Sequence, residues 1–245
     1  MTLLVGANAS GKSTVIQSLL LLRQSYQAGL LQQGQLQLNG LLANVGTMLD
    51  AFSQTPTDLE LSFRITEEDI AHTFSFDFQD ERASSYTMEG QHPGFLTDTS
   101  LFRTEFNYMN AERVGPRPLY PIPTQNRWKY DIGIRGEYAL HVLAQYRLDP
   151  VANALAPLIS VANDLAPVIT EERRAPLFEQ TRQWMQEIIP NFDLKVTQLT
   201  EADQVQAVFG NIPGQALVRP TNIGFGLIYT LPIVVAALVC LSSEF

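Results

Sequence analysis

The residues best spaced for chemistry stand near the start of the chain, in Gly6-Ala7-Asn8-Ala9-Ser10-Gly11-Lys12-Ser13-Thr14. Gly, four residues and then Gly-Lys-Ser is a spacing that suits a loop wrapped around phosphate. Glycines let the backbone curl so that successive N–H groups converge on an anion. A helix starting directly behind the loop adds unpaired N–H groups and its dipole. Lys12 is then placed to reach β- and γ-phosphates, and the Ser13 hydroxyl to ligate Mg²⁺. Such a loop needs a strand before it and a helix after it. Leu3-Leu4-Val5 predicts the strand, and the run with Val15, Ile16, Leu19, Leu20 and Leu22 predicts the helix. The consecutive leucines Leu19–Leu22 predict a helix buried between a sheet and a second layer. The competing reading is a glycine turn that merely caps a helix, with Lys12 a solvated surface lysine and Ser13 a helix-start residue.

The rest of the chain must position that loop. At 245 residues with 45% hydrophobic side chains, it can bury one or two compact cores. Acidic residues outnumber basic ones by 25 to 16, a net charge of −9, which disfavours general nucleic-acid binding while leaving room for a local basic patch. The single cysteine, Cys240, excludes a disulfide framework and a cysteine-cluster zinc site, and His72, His92 and His141 are too scattered for a His-rich metal centre. No secretory signal pattern is visible, and the apolar run Leu227–Leu241, broken by Tyr229, Thr230 and Pro232, reads as a buried helix and not a membrane span. A soluble cytoplasmic protein is the default expectation, with no membrane partner.

Charge is uneven. Met1–Thr57 carries only Lys12, Arg23 and Asp50, whereas Asp58–Gly90 carries nine acidic and two basic residues. In that acidic stretch the pattern changes to period two: Leu59, Leu61, Phe63, Ile65, and then His72, Phe74, Phe76, Phe78. Period two predicts antiparallel strands with one face buried, so that Phe63→Asp is expected to be strongly destabilising. Tyr86 and Met88, then Phe102, Phe106 and Tyr108, suggest more strands of the same layer. Beyond the Pro-rich connector Pro116–Pro123, helices are predicted over Gly136–Arg147, over Val151–Val168 with a kink near Pro157, and over Pro176–Ile189. These three could form a small bundle. Phe192–Thr197 and Gln204–Phe209 read as a pair of strands. Asn153–Pro157 and Asn163–Pro167 echo one another without amounting to a repeat. Trp128 and Trp184 are expected to pack against the core, and His141 to be structural.

The string LLVGANASGKST followed by VIQSLLLLRQS resembles the opening of AAA-family ATPases of the RecF/SMC/ABC-like superclass, nearest to bacterial DUF3696-domain proteins and the overcoming-lysogenization-defect (OLD) ATPases. Leu38–Phe52, Asn107–Arg117 and Thr221–Leu238 carry the likeness further, in the family's order. The resemblance implies an α/β fold, a P-loop NTPase of ABC/SMC-head type with a parallel-rich core, an antiparallel β arm and an added helical layer. Its cofactors would be ATP and Mg²⁺, with Gly6, Asn8, Ala9, Ser10, Gly11, Lys12, Ser13 and Thr14 in contact with nucleotide and Ser13 on the metal. It also implies a signature segment that contacts the γ-phosphate held by another protomer, matched here by Asn222, Gly224 and Gly226; an ordinary helix start beside a glycine-rich turn is the alternative. A homodimer of the complete protein follows from that arrangement, and a nuclease or DNA partner is compatible with it. Asn39 and Gly40 match a family segment without an assignable role. Glu112, Arg113 and Arg117 could sense phosphate, bridge subdomains, or form a solvated loop pair.

Hydrolysis in such ATPases needs an apolar strand ending in Asp-Glu, whose carboxylates hold Mg²⁺ and polarise water. No such segment occurs in the sequence: Glu67-Glu68-Asp69 and Glu171-Glu172 follow no apolar strand. Set against the resemblance, the chain looks truncated at both ends, with the C-terminal part of the core missing. The catalytic residue is therefore unknown, and a non-hydrolysing nucleotide-binding module or a non-functional fragment are the alternatives to an ATPase of a DNA-linked or phage-defence system. The expected division is 1–57 for the phosphate loop and first core helix, 58–115 for the β arm, 116–198 for the connector and helical subdomain, and 199–245 for the return to the core.

Overall fold

A computed structural model describes residues 4–52, 60–67, 70–80, 83–89, 99–124, 128–152, 174–212 and 214–240. The chain divides into two compact units, Met1–Phe106 and Asn107–Phe245.

In the first unit, helix α1 (Lys12–Gln27) follows the glycine loop. It ends where Gly29 takes a left-handed φ of 69°. Gly29 N–H then bonds to Tyr26 C=O and Leu30 N–H to Ser25 C=O, at 3.0 and 2.9 Å. This double closure satisfies carbonyls that the helix end would leave open. A short hairpin around Asn39–Asn44 and helix α2 (Met48–Ala51) follow. Strands β1 (Glu60–Glu67), β2 (Ile70–Asp80) and β3 (Ala83–Glu89) form an antiparallel sheet in that order.

The period-two reading of β1 holds along its length, since exposed and half-buried residues alternate. The deep burial, however, belongs to β2, where Phe74 and Phe76 are fully buried. Phe63 is only half-buried and meets Phe76 edge-on at 5.9 Å. The large destabilisation expected of a charge at position 63 therefore moves to positions 74 and 76. Further strands at Phe102, Phe106 and Tyr108 are not formed. Ser100–Phe102 is a 3₁₀ turn that buries Phe102 between Tyr26 (4.8 Å) and Phe74 (6.3 Å), and Phe106 and Tyr108 lie in irregular backbone.

The second unit is built on a three-stranded antiparallel sheet: β4 (Tyr120–Pro121), β8 (Gln204–Gly210) and β7 (Asp193–Leu199), with β8 central. The β7–β8 hairpin was legible in the sequence. Its turn closes through Asp203, in left-handed backbone at φ 49°. Val205, Ala207 and Phe209 alternate inward along β8. Against that face pack α3 (Ala139–Gln145), α4 (Leu177–Ile188) and α5 (Phe225–Cys240). Apolar residues at 227/228, 231/232, 235 and 238/239 bury one stripe of α5 along its full length. Trp128 and Trp184 pack against this core, as expected.

Two helices fall within their predicted ranges. Pro176 stands as the residue before α4, and Pro190 follows its end. A third prediction fails at its start, because Pro150–Ala152 is strand β5, paired antiparallel with β6 (Arg174–Pro176). The remainder of that predicted helix, with Pro157 and the Asn153/Asn163 echo, lies outside the described residues, as do Leu3 and His92. The strand expected before the glycine loop is also missing where it is described, since Leu4 and Val5 are exposed and unpaired. Every strand pair among the described residues is antiparallel, so a parallel-rich core is not part of them. No helix among the described residues is long and apolar enough to cross a membrane.

Candidate phosphate-binding site

The loop Gly6–Gly11 curls tightly enough that its own residues close on one another. Ala9 and Gly11 take left-handed backbone, φ 62° and 83°, conformations that turn successive N–H groups toward one side. A Cβ at Gly6 would stand 2.8 Å from Ser10 Oγ, so a side chain there would push that hydroxyl aside. Inside the curl lies the Lys12 ammonium, which donates to the carbonyls of Gly6 (2.8 Å) and Ala7 (2.5 Å) and to Ser10 Oγ (3.3 Å). The first bond of α1 runs from Val15 N–H to Gly11 C=O at 3.3 Å. The amides of Lys12, Ser13 and Thr14 thus precede the helical ladder, as the first N–H groups of any helix do. Asn8, Ala9, Ser10, Ser13 and Thr14 are exposed around this start.

Burial of α1 is split along its length, which corrects the expectation of a helix sandwiched throughout. Leu20–Ser25 are buried on every side, whereas Val15, Ile16 and Leu19 are exposed. Three consecutive polar residues anchor the buried half. Arg23 Nη1 donates to Leu101 C=O at 2.8 Å, and its guanidinium lies 5.0 Å from the Phe106 ring centre. Burial lowers the Arg23 pKa from its ordinary value, and Tyr26 and Glu105 oppose that shift. Gln24 Nε2 donates to Gln37 C=O (2.7 Å), and Gln24 Oε1 accepts from Ala43 N–H (2.9 Å). Ser25 Oγ accepts from Gln37 N–H at 2.8 Å. The side-chain amide of Gln24 therefore spans the hairpin whose turn begins at Asn39 and Gly40. A Cβ at Gly40 would approach Gln24 Oε1 to 2.7 Å, which accounts for the glycine. Asn39 is tied to Gly46 by both its amide oxygen (2.8 Å) and its amide nitrogen (2.6 Å). Sequence reasoning missed these anchors; the available signal was the polar triplet Arg-Gln-Ser interrupting a leucine-rich helix.

The second group of expected contacts lies in the second unit. Asn222 ends a 3₁₀ turn, Pro220–Asn222. Gly224 precedes α5 and its carbonyl accepts from Leu227 N–H at 3.2 Å. Gly226 sits in the first turn, and Gly224 and Gly226 both face open space where a side chain would be. Glu112 pairs with Arg135 at 3.0 Å in an exposed position, Arg117 is exposed, and Arg113 Nη1 donates to the Tyr229 carbonyl of α5 at 3.3 Å. His141 is half-buried against Tyr146, and burial lowers its pKa. Among the described residues no group of three or more His, Cys, Asp or Glu side chains could hold a metal ion.

The family described as "AAA domain, putative AbiEii toxin, Type IV TA system" matches residues 1–105. Residues 1–105 carry an AAA-type P-loop domain. This AAA-type domain takes in the glycine loop, α1, the Asn39 hairpin and the antiparallel sheet, and it ends within one residue of the boundary between the two units. No curated protein and no solved structure matches the chain.

Proposed function

We propose that Gly6–Thr14 seats the β- and γ-phosphates of ATP, with Lys12 against the phosphate oxygens and the Ser13 hydroxyl on Mg²⁺. The observation that carries this reading is the Lys12 ammonium, ringed by the oxygens of Gly6, Ala7 and Ser10 at 2.5–3.3 Å. An ammonium in that position trades neutral carbonyl acceptors for charged phosphate oxygens, a stronger class of hydrogen bond. The donor set fits ATP–Mg²⁺: left-handed backbone at Ala9 and Gly11, helix-start amides at Lys12–Thr14, and one hydroxyl for a hard cation. When bound, Mg²⁺ supplies charge neutralisation for the phosphates; binding and orientation fall to the loop.

The reading extends to Asn222, Gly224 and Gly226 as contacts to nucleotide held by a second protomer, and to ATP hydrolysis by the complete protein as a homodimer. The resemblance to DUF3696-domain and OLD-like ATPases supports both extensions. The family description of residues 1–105 supports a setting in toxin–antitoxin or phage defence.

Fluorescent ATP analogues titrated with Mg²⁺ and with chelator test the loop assignment. Ser13→Ala should weaken binding in Mg²⁺ and leave the metal-free affinity unchanged. Equal loss in both conditions would remove Ser13 from the metal. A phosphate-release assay addresses turnover, which must depend on Mg²⁺ and disappear in Lys12→Ala.

A further inference from the structure

Helix α5 contains a proline, Pro232, within its buried stripe. Proline has no N–H, so the carbonyl four residues earlier, at Ile228, loses its usual partner and the ladder is interrupted at that turn. The turns before the break are the ones that present Gly224 and Gly226, and something outside the helix must hold them in line. Two neighbouring segments meet α5 at this point. Asn110 N–H bonds to Ile134 C=O (2.8 Å) and Val114 N–H to Arg135 C=O (2.9 Å), which ties residues 110–114 to residues 134–135. Gly136 receives the proline: its φ is 72°, and a Cβ there would stand 2.7 Å from Pro232 Cβ. From the partner segment Arg113 reaches across and donates to the Tyr229 carbonyl, three residues before the proline. Its neighbour Glu112 is engaged with Arg135 and not with Arg113.

We infer that Arg113 is a positioning residue, a charged donor that fixes the N-terminal turns of α5 at the Pro232 break and so sets where the Gly224–Gly226 amides point. The consequence for nucleotide contact rests on the reading proposed above; the positioning itself does not. An arginine suits the task because its planar guanidinium presents several N–H donors in a fixed fork, so one stays directed at the carbonyl. Apolar burial of α5 begins only at Leu227 and Ile228, and Gly224, Phe225 and Gly226 ahead of them are exposed.

Amide hydrogen exchange on the full chain, without nucleotide, decides the assignment. In Arg113→Met the amides of residues 229–231, the first within the α5 ladder, should exchange about tenfold faster, the change expected for loss of one ordinary hydrogen bond, while those of β7 and β8 stay as in the wild type. Arg113→Lys, which keeps a charged donor, should recover part of the protection. Unchanged exchange at 229–231, or a uniform increase through residues 107–240, would overturn the inference. A second arm with ATP–Mg²⁺ separates it from the reading on which its consequence rests. Protection at 6–14 without protection at 224–227 in the wild type would contradict a nucleotide contact by Gly224–Gly226, while the nucleotide-free exchange still decides the role of Arg113.

Discussion

Helices α1 and α5 both span 16 residues and both begin just after a glycine, yet they are held in opposite ways. Helix α5 is fixed by a continuous apolar stripe, from Leu227 to Val239, and by Gly136 fitted against its proline. Helix α1 is buried only from Leu20 to Ser25, and there three polar side chains bind the carbonyls of Leu101 and Gln37 and the amides of Gln37 and Ala43. Apolar burial contributes more free energy but little direction; hydrogen bonds contribute less and specify geometry. The helix behind the glycine loop is thus clamped at its far half and left exposed beside the loop.

Substitutions in the two helices should break along that line. Leu231→Ala in α5 should cost the most, about 2–5 kcal/mol, because the site is closed on all sides. Trp128 and Trp184, the chain's only tryptophans, both lie in the second unit, so thermal unfolding followed by their fluorescence reads this loss directly. Gln24→Ala should cost about 1–3 kcal/mol, since it leaves the Ala43 amide and the Gln37 carbonyl without their partner. Faster exchange of the Ala43 amide is its signature. Ile16→Ser, on the exposed half of α1, should stay within about 0.5 kcal/mol; a loss comparable with Gln24→Ala would mean that this face is covered.

Acidification gives a further contrast. Burial holds the His141 pKa below its unfolded value, so the folded state favours the neutral ring. The contribution of His141 is complete above the ordinary histidine pKa near 6.5 and declines as pH falls through the folded value, because the unfolded chain binds the proton first. Tryptophan-monitored melting between pH 7.5 and 5.5 should show a decline that is reduced in His141→Gln.

Much of this architecture was legible in the residues. Period-two runs marked β1, β2, β7 and β8, and proline placement marked both ends of α4. Three features were not legible, for distinct physical reasons. Alternation along β1 identifies which face turns inward but not how deeply it is covered, so Phe63 passed for a core residue while Phe74 and Phe76 fill that role. Aromatic residues at 102, 106 and 108 imitate strand spacing, yet Phe102 reaches the core through a single 3₁₀ turn. The chemistry proposed for the glycine loop rests on residue type and spacing. The anchors Arg23, Gln24 and Ser25 act through contacts distant in sequence: the polar triplet marks the place, but local pattern does not name the partners. Arg113 belongs with them, because its partner at Tyr229 lies far along the chain.

The central claim is that the Gly6–Thr14 loop binds nucleotide through Lys12. Calorimetric titration of ATP–Mg²⁺ into the wild type and into Lys12→Ala tests it most directly, with matched fluorescence melting and circular dichroism establishing that both proteins are folded. The account predicts measurable binding by the wild type and at least about a tenfold loss in Lys12→Ala, because a charged donor to phosphate has no substitute within the loop. Equal affinities in the two folded proteins would contradict it.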